Sequence, residues 1–418
     1  MRVLHLIDPT TPGGGACTLQ LLAEVCQRIR SIQHEALIIG SAAHHALAER
    51  CGVEPIGHLS APTCLPTGGR RALKRLIRQR EAQFGNYDII HAWTARSAML
   101  ATLAAPDRHR LAWLNVGPVN SFNTQLLNYL TEHHPMTILA ASSAVYREYM
   151  SMGVHGTNLD VLPPAVHPEA VRMEDRDTLR ERWEVDDRTF VVGLLSEPVS
   201  WADARQALNV VLRAALTGRD VKLLMHHTAT GRVEAEMAAR EMGCEDILII
   251  DDDVAEPWRV VHGLDASLLI GGELNVMNLR DAGSPFSLLF GGGRRVRPMP
   301  GVMPLLWSLA AGVPVIAESS DAVRDIIDNQ TSGLLVKHND INAASDRVIR
   351  LYDDPTVGGR IGAAGRLRAH KHFHVSAFCV RLRSVYDQLA RGKRVVVDDP
   401  TRPGLMELKN HVPAAGAV

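Results

Sequence analysis

The sequence predicts an α/β fold made of two domains with parallel sheets, and three observations carry that reading. Short β-branched runs alternate with helical stretches along most of the chain, the pattern of strands and crossover helices in parallel sheets. At 418 residues the chain is longer than one hydrophobic core usually serves. Between two such runs stands Val161-Leu162-Pro163-Pro164-Ala165-Val166-His167-Pro168, whose prolines stiffen the backbone and mark a boundary at 168. The domains expected are therefore 1–168 and 169–372, followed by a helix over 373–390 and a disordered tail over 391–418.

Composition narrows the class. With 46% apolar and 22% charged residues the chain has an ordinary globular balance, and a formal charge of -1 excludes whole-molecule attraction to nucleic acid. Six scattered cysteines with no CxxC pair indicate small apolar residues in a reducing compartment. The N-terminal apolar run is too short for a signal peptide, and no segment reaches the ~20 apolar residues of a membrane span. The expectation is a cytoplasmic protein.

In chain order, Val3–Ile7 is a strand ending in Asp8, and Gly13, Gly14 and Gly15 precede a helix over 17–30. A glycine loop at a helix N-terminus brings backbone N–H groups close to a phosphate or sugar, although plain turn chemistry explains the same residues. Glu35–Ile39 is a strand and His44–Arg50 a short helix. The segment Arg70–Phe84 places Arg70, Arg71, Lys74, Arg75, Arg78 and Arg80 opposite Leu73, Leu76 and Ile77. Such a helix lies on an anionic membrane surface, binds an acidic partner, or simply solvates one face.

Tyr87–Trp93 is the next strand, with His91 near its C-terminal edge, where ligands of open α/β sheets collect. A helix over Thr94–Ala104 follows, with Arg96 in its first turn. Leu111–Val116 leads to Gly117-Pro118-Val119-Asn120, and Thr137–Ser143 ends a strand and caps a helix through Met150.

In the second domain, Asp177–Trp183 is a charged helix expected at the surface, and Thr189–Leu195 is a buried strand. Helices at Asp203–Thr217 and Arg232–Met242 alternate with strands at Val221–His226, Ile247–Ile250 and Asp265–Ile270. Asp251-Asp252-Asp253 invites a metal reading, but at a βα turn the acids are better explained as a solvated helix N-terminus. Residues 271–301 are glycine-rich and carry Arg294, Arg295 and Arg297. An apolar helix from Pro304 closes at Gly312, which suits a left-handed C-cap, and a buried strand runs across Pro314. Ser320 and Asp321 supply N-caps for a helix over 321–328, Leu334–Val336 is a strand, and Asp340 caps a helix through Tyr352. Helices over Val357–His370 and Phe373–Leu389 close the order, the last with Phe378, Leu382, Val385 and Leu389 spaced for packing.

The wording Gly312-Val313-Pro314-Val315 and Gly333-Leu334-Leu335-Val336 around a helix resembles the nucleotide-sugar half of GT-B glycosyltransferases, specifically glycosyltransferase family 4. That resemblance runs to about residue 390 and implies GT-B architecture: two Rossmann-like domains facing across a cleft, and the helix 373–390 crossing back to the first. It places Gly13, Gly14 and Gly15 beside the cleft. His91 keeps the first histidine of the family's Asp-x-x-His-x-His turn, while Trp93 replaces the second. Where the family carries a histidine that positions the sugar, this chain offers Asn115 or Asn120, neither able to shuttle a proton. His91 and Asn120 are the candidate catalytic residues.

The donor side departs from the family. The arginine and lysine that grip the diphosphate are replaced by Glu197 and Ala202, and an anion there repels the phosphates. The two glutamates of the family align with Met299 and Trp307. Arg294, Arg295 and Arg297 offer a substitute clamp or form a surface loop. The donor-binding candidates are Arg294, Arg295, Arg297, Glu197, Met299, Trp307 and Ser308. The resemblance implies a metal-independent hexosyltransferase that retains configuration, takes a nucleotide sugar as substrate, needs no cofactor, and works in the cytoplasm or peripherally on the inner face of a membrane. The alternative is a catalytically inactive relative that binds or regulates an active transferase. An epimerase-like reading has no sequence support.

Overall fold

The computed structural model describes residues 1–11, 15–60, 69–115, 117, 121–134, 136–151, 153–154, 158–169, 171, 174–195, 204–227, 229, 231–252, 256–270 and 302–397. Two separate parallel sheets are present. The first is built from β1 (Arg2–Ile7), β2 (Gln33–Ile39), β3 (Pro55–Leu59), β4 (Ile89–Ala92), β5 (His109–Leu114), β6 (Thr137–Ala140) and β7 (Asn158–Val161). Its order is β3-β2-β1-β4-β5-β6-β7, with helices α1 (Ala16–Arg28), α2 (Ala42–Arg50), α3 (Arg70–Phe84), α4 (Ala95–Ala104), α5 (Ser121–His133) and α6 (Ser143–Ser151).

The second sheet comprises β8 (Phe190–Leu194), β9 (Val221–His226), β10 (Leu248–Asp251), β11 (Ala266–Leu269), β12 (Val315–Glu318) and β13 (Leu334–Val336), in the order β10-β9-β8-β11-β12-β13. Around it lie α7 (Arg176–Arg182), α8 (Ala204–Ala215), α9 (Arg232–Met242), α10 (Met303–Ala311), α11 (Asp321–Ile326), α12 (Ile341–Asp353) and α13 (Pro355–His372). Both sheets reverse their strand order once, between β1 and β4 and between β8 and β11, so each has a crevice at the carboxyl ends of that pair.

Local chemistry explains the element ends. Thr94, Ser320, Asp340 and Asp354 each accept a backbone N–H at the start of α4, α11, α12 and α13. Gly312 has φ +82°, the left-handed C-cap that only glycine adopts without strain, and it turns α10 into β12. The outer strands β3 and β7, which the sequence reading does not anticipate, are short and lie at the sheet edges.

The last helix, α14 (Val375–Ala390), leaves the second domain and docks on the first. Its Phe378, Leu382, Val385, Tyr386 and Leu389 share a buried cluster with Val3, Ile7, Leu22, Trp93 and Trp113. Each fully buried apolar side chain of that size is worth roughly 1.5–3 kcal/mol, so the strap is held firmly. The two crossing segments touch backbone to backbone, Val166 N donating to Phe373 O at 2.9 Å and Val375 N to Val166 O at 3.2 Å. This is the GT-B arrangement expected from the resemblance.

α7 lies at the surface as expected, with Asp177, Thr178 and Glu181 exposed, but its inner face is tied down: Arg180 is 3% exposed and, with Arg176, grips Asp265, whose carboxylate also accepts from Val191 N at 2.8 Å. Two expectations are corrected. Asp251 is not a solvated acid, because it is buried and accepts from the Trp183 indole N–H at 2.6 Å. The tail does not loosen at residue 391: Val395 is buried against the first domain, and Val397 N donates to Asp160 at 2.9 Å. Among the described residues, no helix is long and apolar enough to cross a membrane.

Candidate functional site

The carboxyl edge of the first sheet carries the polar groups nearest its crevice. Asp8, directly after β1, is 0% exposed and accepts from Arg96 NH1 at 2.5 Å, from Thr10 N at 3.0 Å and from Thr10 Oγ1 at 2.5 Å. Arg96 reaches it from the first turn of α4, whose start Thr94 and Ser97 fix by a reciprocal capping box. This buried ion pair ties β1 to α4 across the switch point. One strand further, Asn115 Nδ2 donates to Thr18 Oγ1 in the first turn of α1 at 3.1 Å. Gly15 is the N-cap residue of α1, and its carbonyl accepts from the N–H groups of Thr18 and Leu19.

The first turn of α1 points at the second domain. Ala16 and Cys17, with Ala144 of α6 and Val166 of the linker, share one buried cluster with Met303 and Trp307 of α10. A small cavity opens there between Gln20 and Glu24 of α1, His167 of the linker and Trp307. On one side the junction is closed by hydrogen bonds: Ser143 N and Oγ donate to Asp325 at 2.9 and 2.7 Å, and Arg147 pairs with Asp321 at 2.8 Å. The α6 and α11 helices are thereby locked together.

Every residue of α10 is buried. Trp307 is 1% exposed and packs its ring 5.7 Å from that of Trp258, so the position matched to a family glutamate holds core rather than a carboxylate. Ser308 Oγ is occupied by Ser267 Oγ at 2.7 Å and Pro304 O at 2.9 Å, which joins α10 to β11 and leaves the hydroxyl inside the fold. Of the other sequence candidates, Gly13, Gly14, Asn120, Glu197, Met299, Arg294, Arg295 and Arg297 lie outside the described residues.

His91 sits apart from this edge. It is 0% exposed, its Nδ1 meets the Tyr386 hydroxyl at 2.7 Å, and its ring stacks on Trp93 at 4.5 Å, beneath α14. Burial first, and the charge of a protonated His34 second, push its pKa down to about 3. An enclosed neutral ring has no surface to offer an acceptor, which corrects the sequence expectation: the side chain alternates onto the α14 face of β4.

The same face holds His5 and His34, and with Cys26 their ligand atoms lie within 4.8 Å of one another. Their hydrogen bonds use the lone pairs a metal would need. The Trp93 indole N–H donates to His5 Nδ1 at 3.1 Å, which puts the His5 proton on Nε2, facing His34 Nδ1 at 2.9 Å. His34 Nε2 then donates to Ile29 O at 3.1 Å. Burial lowers both pKa values, His5 well below the ordinary range, and lifts the Cys26 thiol to about 12, so the group is a neutral relay within the core.

On α3, Leu73 and Ile77 face inward as expected, but two of its cations are engaged. Arg80 pairs with Glu35 at 3.0 Å and Arg70 donates to Leu103 O at 3.1 Å. Arg71, Arg75 and Arg78 are exposed.

Comparison with known proteins bears on this geometry. The chain is 24% identical over 312 residues to a GDP-mannose-dependent monoacylated alpha-(1-6)-phosphatidylinositol monomannoside mannosyltransferase of Corynebacterium glutamicum, covering 71% of this chain and 74% of that protein. Its fold matches Anabaena HepE in complex with UDP and glucose, with a TM-score of 0.70 at 15% identity over 93% of this chain and 100% of that one. A glycosyltransferase from Rickettsia africae matches with a TM-score of 0.71 at 15% identity, over 94% of this chain and 99% of the other. Residues 301–368, from α10 into α13, match the family described as Glycosyl transferases group 1, and the architecture around that segment is GT-B.

Proposed function

We propose that this protein transfers a sugar from a nucleotide-sugar donor to a hydroxyl acceptor, with the donor on the second domain and the acceptor on the first. The observation that carries the reading is the junction itself. The switch-point edge of the first sheet, with its Asp8–Arg96 pair and the Asn115–Thr18 bond, meets a second domain whose residues 301–368 match a glycosyltransferase family. The N-terminus of α1 turns its positive dipole end towards that junction, a favourable place for the oxygens of a sugar or phosphate. Asn115 orients the first turn of α1 rather than moving a proton. Charge on the departing diphosphate is met by backbone dipoles and side chains, without metal, and the anomeric configuration is retained as in the resembling family.

GDP-mannose and UDP-glucose are the donors to try first, since the mannosyltransferase relative is named for the one and a solved neighbour is complexed with the other. Arg71, Lys74, Arg75 and Arg78 on α3 would meet an anionic membrane bearing the acceptor, a reading supported by the exposure of Arg71, Arg75 and Arg78. The second reading is an inactive relative that keeps the scaffold as a binding partner. It is favoured by Trp307, which fills with core the place of a family carboxylate. Release of nucleoside diphosphate from either donor decides between them: turnover supports the transferase, whereas tight nucleotide binding without turnover supports the inactive relative.

A further inference from the structure

His5, His34 and His91 stand on three neighbouring strands and take no part in the proposed transfer. In the parallel register His5 lies directly opposite His91, and His34 lies opposite Val3, which shares a sheet face with His5 two residues on. The rings therefore form a row on one face, with centroids 5.1 Å apart between His34 and His5 and 5.4 Å apart between His5 and His91. His5 and His91 are 0% exposed. The row is covered by α14, whose Tyr386 hydroxyl meets His91 Nδ1 at 2.7 Å, together with Cys26 of α1. The returning helix thus sits on three groups that in water gain a proton near pH 6.5.

The bonding of the row holds only while the rings are neutral. A proton on His5 Nδ1 would oppose the Trp93 indole N–H, and one on His34 Nδ1 would oppose the His5 Nε2–H. On His91 a second proton would make both ring nitrogens donors, and Nε2 is buried with no hydrogen-bond partner among the described residues. Nor does a counter-ion stand nearby. The titratable groups facing the row are Cys26 of α1 and Cys379, Arg383 and Tyr386 of α14; the charges acting on the rings are one another and Arg383, with no carboxylate among the described residues. Glu35 of β2 turns to the opposite face, where Arg2, Arg80 and Tyr87 hold it, while Glu24 of α1 is paired with Arg28 and Asp387 of α14 with Arg383.

We propose that this row makes the docking of α14 acid-labile: the rings take up protons from solvent as the helix lifts off the first domain, so falling pH releases the tie between the two domains. Linkage sets the direction. The docked state excludes protons that the released state binds below pH 6.5, so docking is at full strength above that value and weakens as pH falls. Each ring kept neutral favours release by about tenfold per pH unit below 6.5, and the factors of the three rings multiply. The helix gives way before the sheet because the rings stand on strands paired on both sides or backed by them, whereas α14 is held by side chains alone over its length. Once off the sheet, a 16-residue helix is marginal in water, so its amides exchange.

Amide hydrogen exchange of the full chain from about pH 7.5 to 5, with rates corrected for their intrinsic pH dependence, tests the assignment. Protection of α14 should hold steady above about pH 7 and fall by about 100-fold or more between about pH 6.5 and 5, while β8 and β9 of the second domain keep theirs. His91→Asn keeps an acceptor for the Tyr386 hydroxyl and His34→Gln keeps a donor for Ile29 O, so each should fold and cut that loss by about tenfold. Tyr386→Phe leaves every ring in place and should lower protection equally at all pH values. Loss shared equally by β8 and β9 would make the event unfolding of the whole chain and overturn the assignment. So would wild-type pH dependence in either His91→Asn or His34→Gln. None of these readouts needs a nucleotide, so the result stands apart from that of the transferase assay.

Discussion

Replacing Glu148 by glutamine should make the fold more stable above neutral pH, and the size of the gain follows from the structure. Burial lifts the carboxyl from its ordinary 4.5 to about 7. Folded chain therefore holds a proton that unfolded chain has released between those values, so stability falls as pH rises through the window and is level above it. A shift of that size corresponds to about 3 kcal/mol at 1.36 kcal/mol per unit, but the carboxyl is only partly enclosed and solvent screening reduces this to about 1–2 kcal/mol. Glutamine carries no charge and lacks that fall. Thermal melts of both proteins at pH 4.5, 6 and 8 should show a difference that widens by roughly 2–4 °C towards pH 8 and then stays constant. A difference independent of pH would refute the reasoning, because it would mean the carboxyl is ionised at no cost.

Arg96→Ala strands the buried Asp8 carboxylate and should destabilise the first domain by about 3–5 kcal/mol in urea unfolding, with part of the loss restored by adding Asp8→Ala. Tyr386→Phe removes the hydrogen bond to His91 and should cost about 1–2 kcal/mol in the same assay without moving donor KM, since the ring lies under α14 and away from the junction. Gly117→Ala drives a methyl group into Glu148 Oε2 and should destabilise the first domain by about 1–3 kcal/mol in urea unfolding; an unaltered midpoint would show that the carboxyl can move aside without consequence.

Much of the scaffold was legible because it rests on short-range signals. Gly312 was readable as a left-handed cap, Ser320 and Asp340 as N-caps, and Leu334–Val336 as a strand, each from chemistry within a few residues. The returning helix was legible from the spacing of Phe378, Leu382, Val385 and Leu389. The edge strands β3 and β7 were not, because Pro55–Leu59 and Asn158–Val161 are short and lack a continuous apolar run. Long-range partners were invisible for a different reason. Nothing near His91 in sequence announces Tyr386, 295 positions away, and the strand period alone does not say which face the helix will cover. Arg180 reads as a surface cation until Asp265 arrives beside it.

Calorimetric titration of the full chain with UDP and with GDP, paired with nucleoside diphosphate release from UDP-glucose and GDP-mannose, bears most directly on the transferase reading. The account predicts that one nucleotide binds with a Kd below about 1 mM and that the sugar nucleotide of the same base is turned over. No heat from either nucleotide and no release from either donor would contradict it.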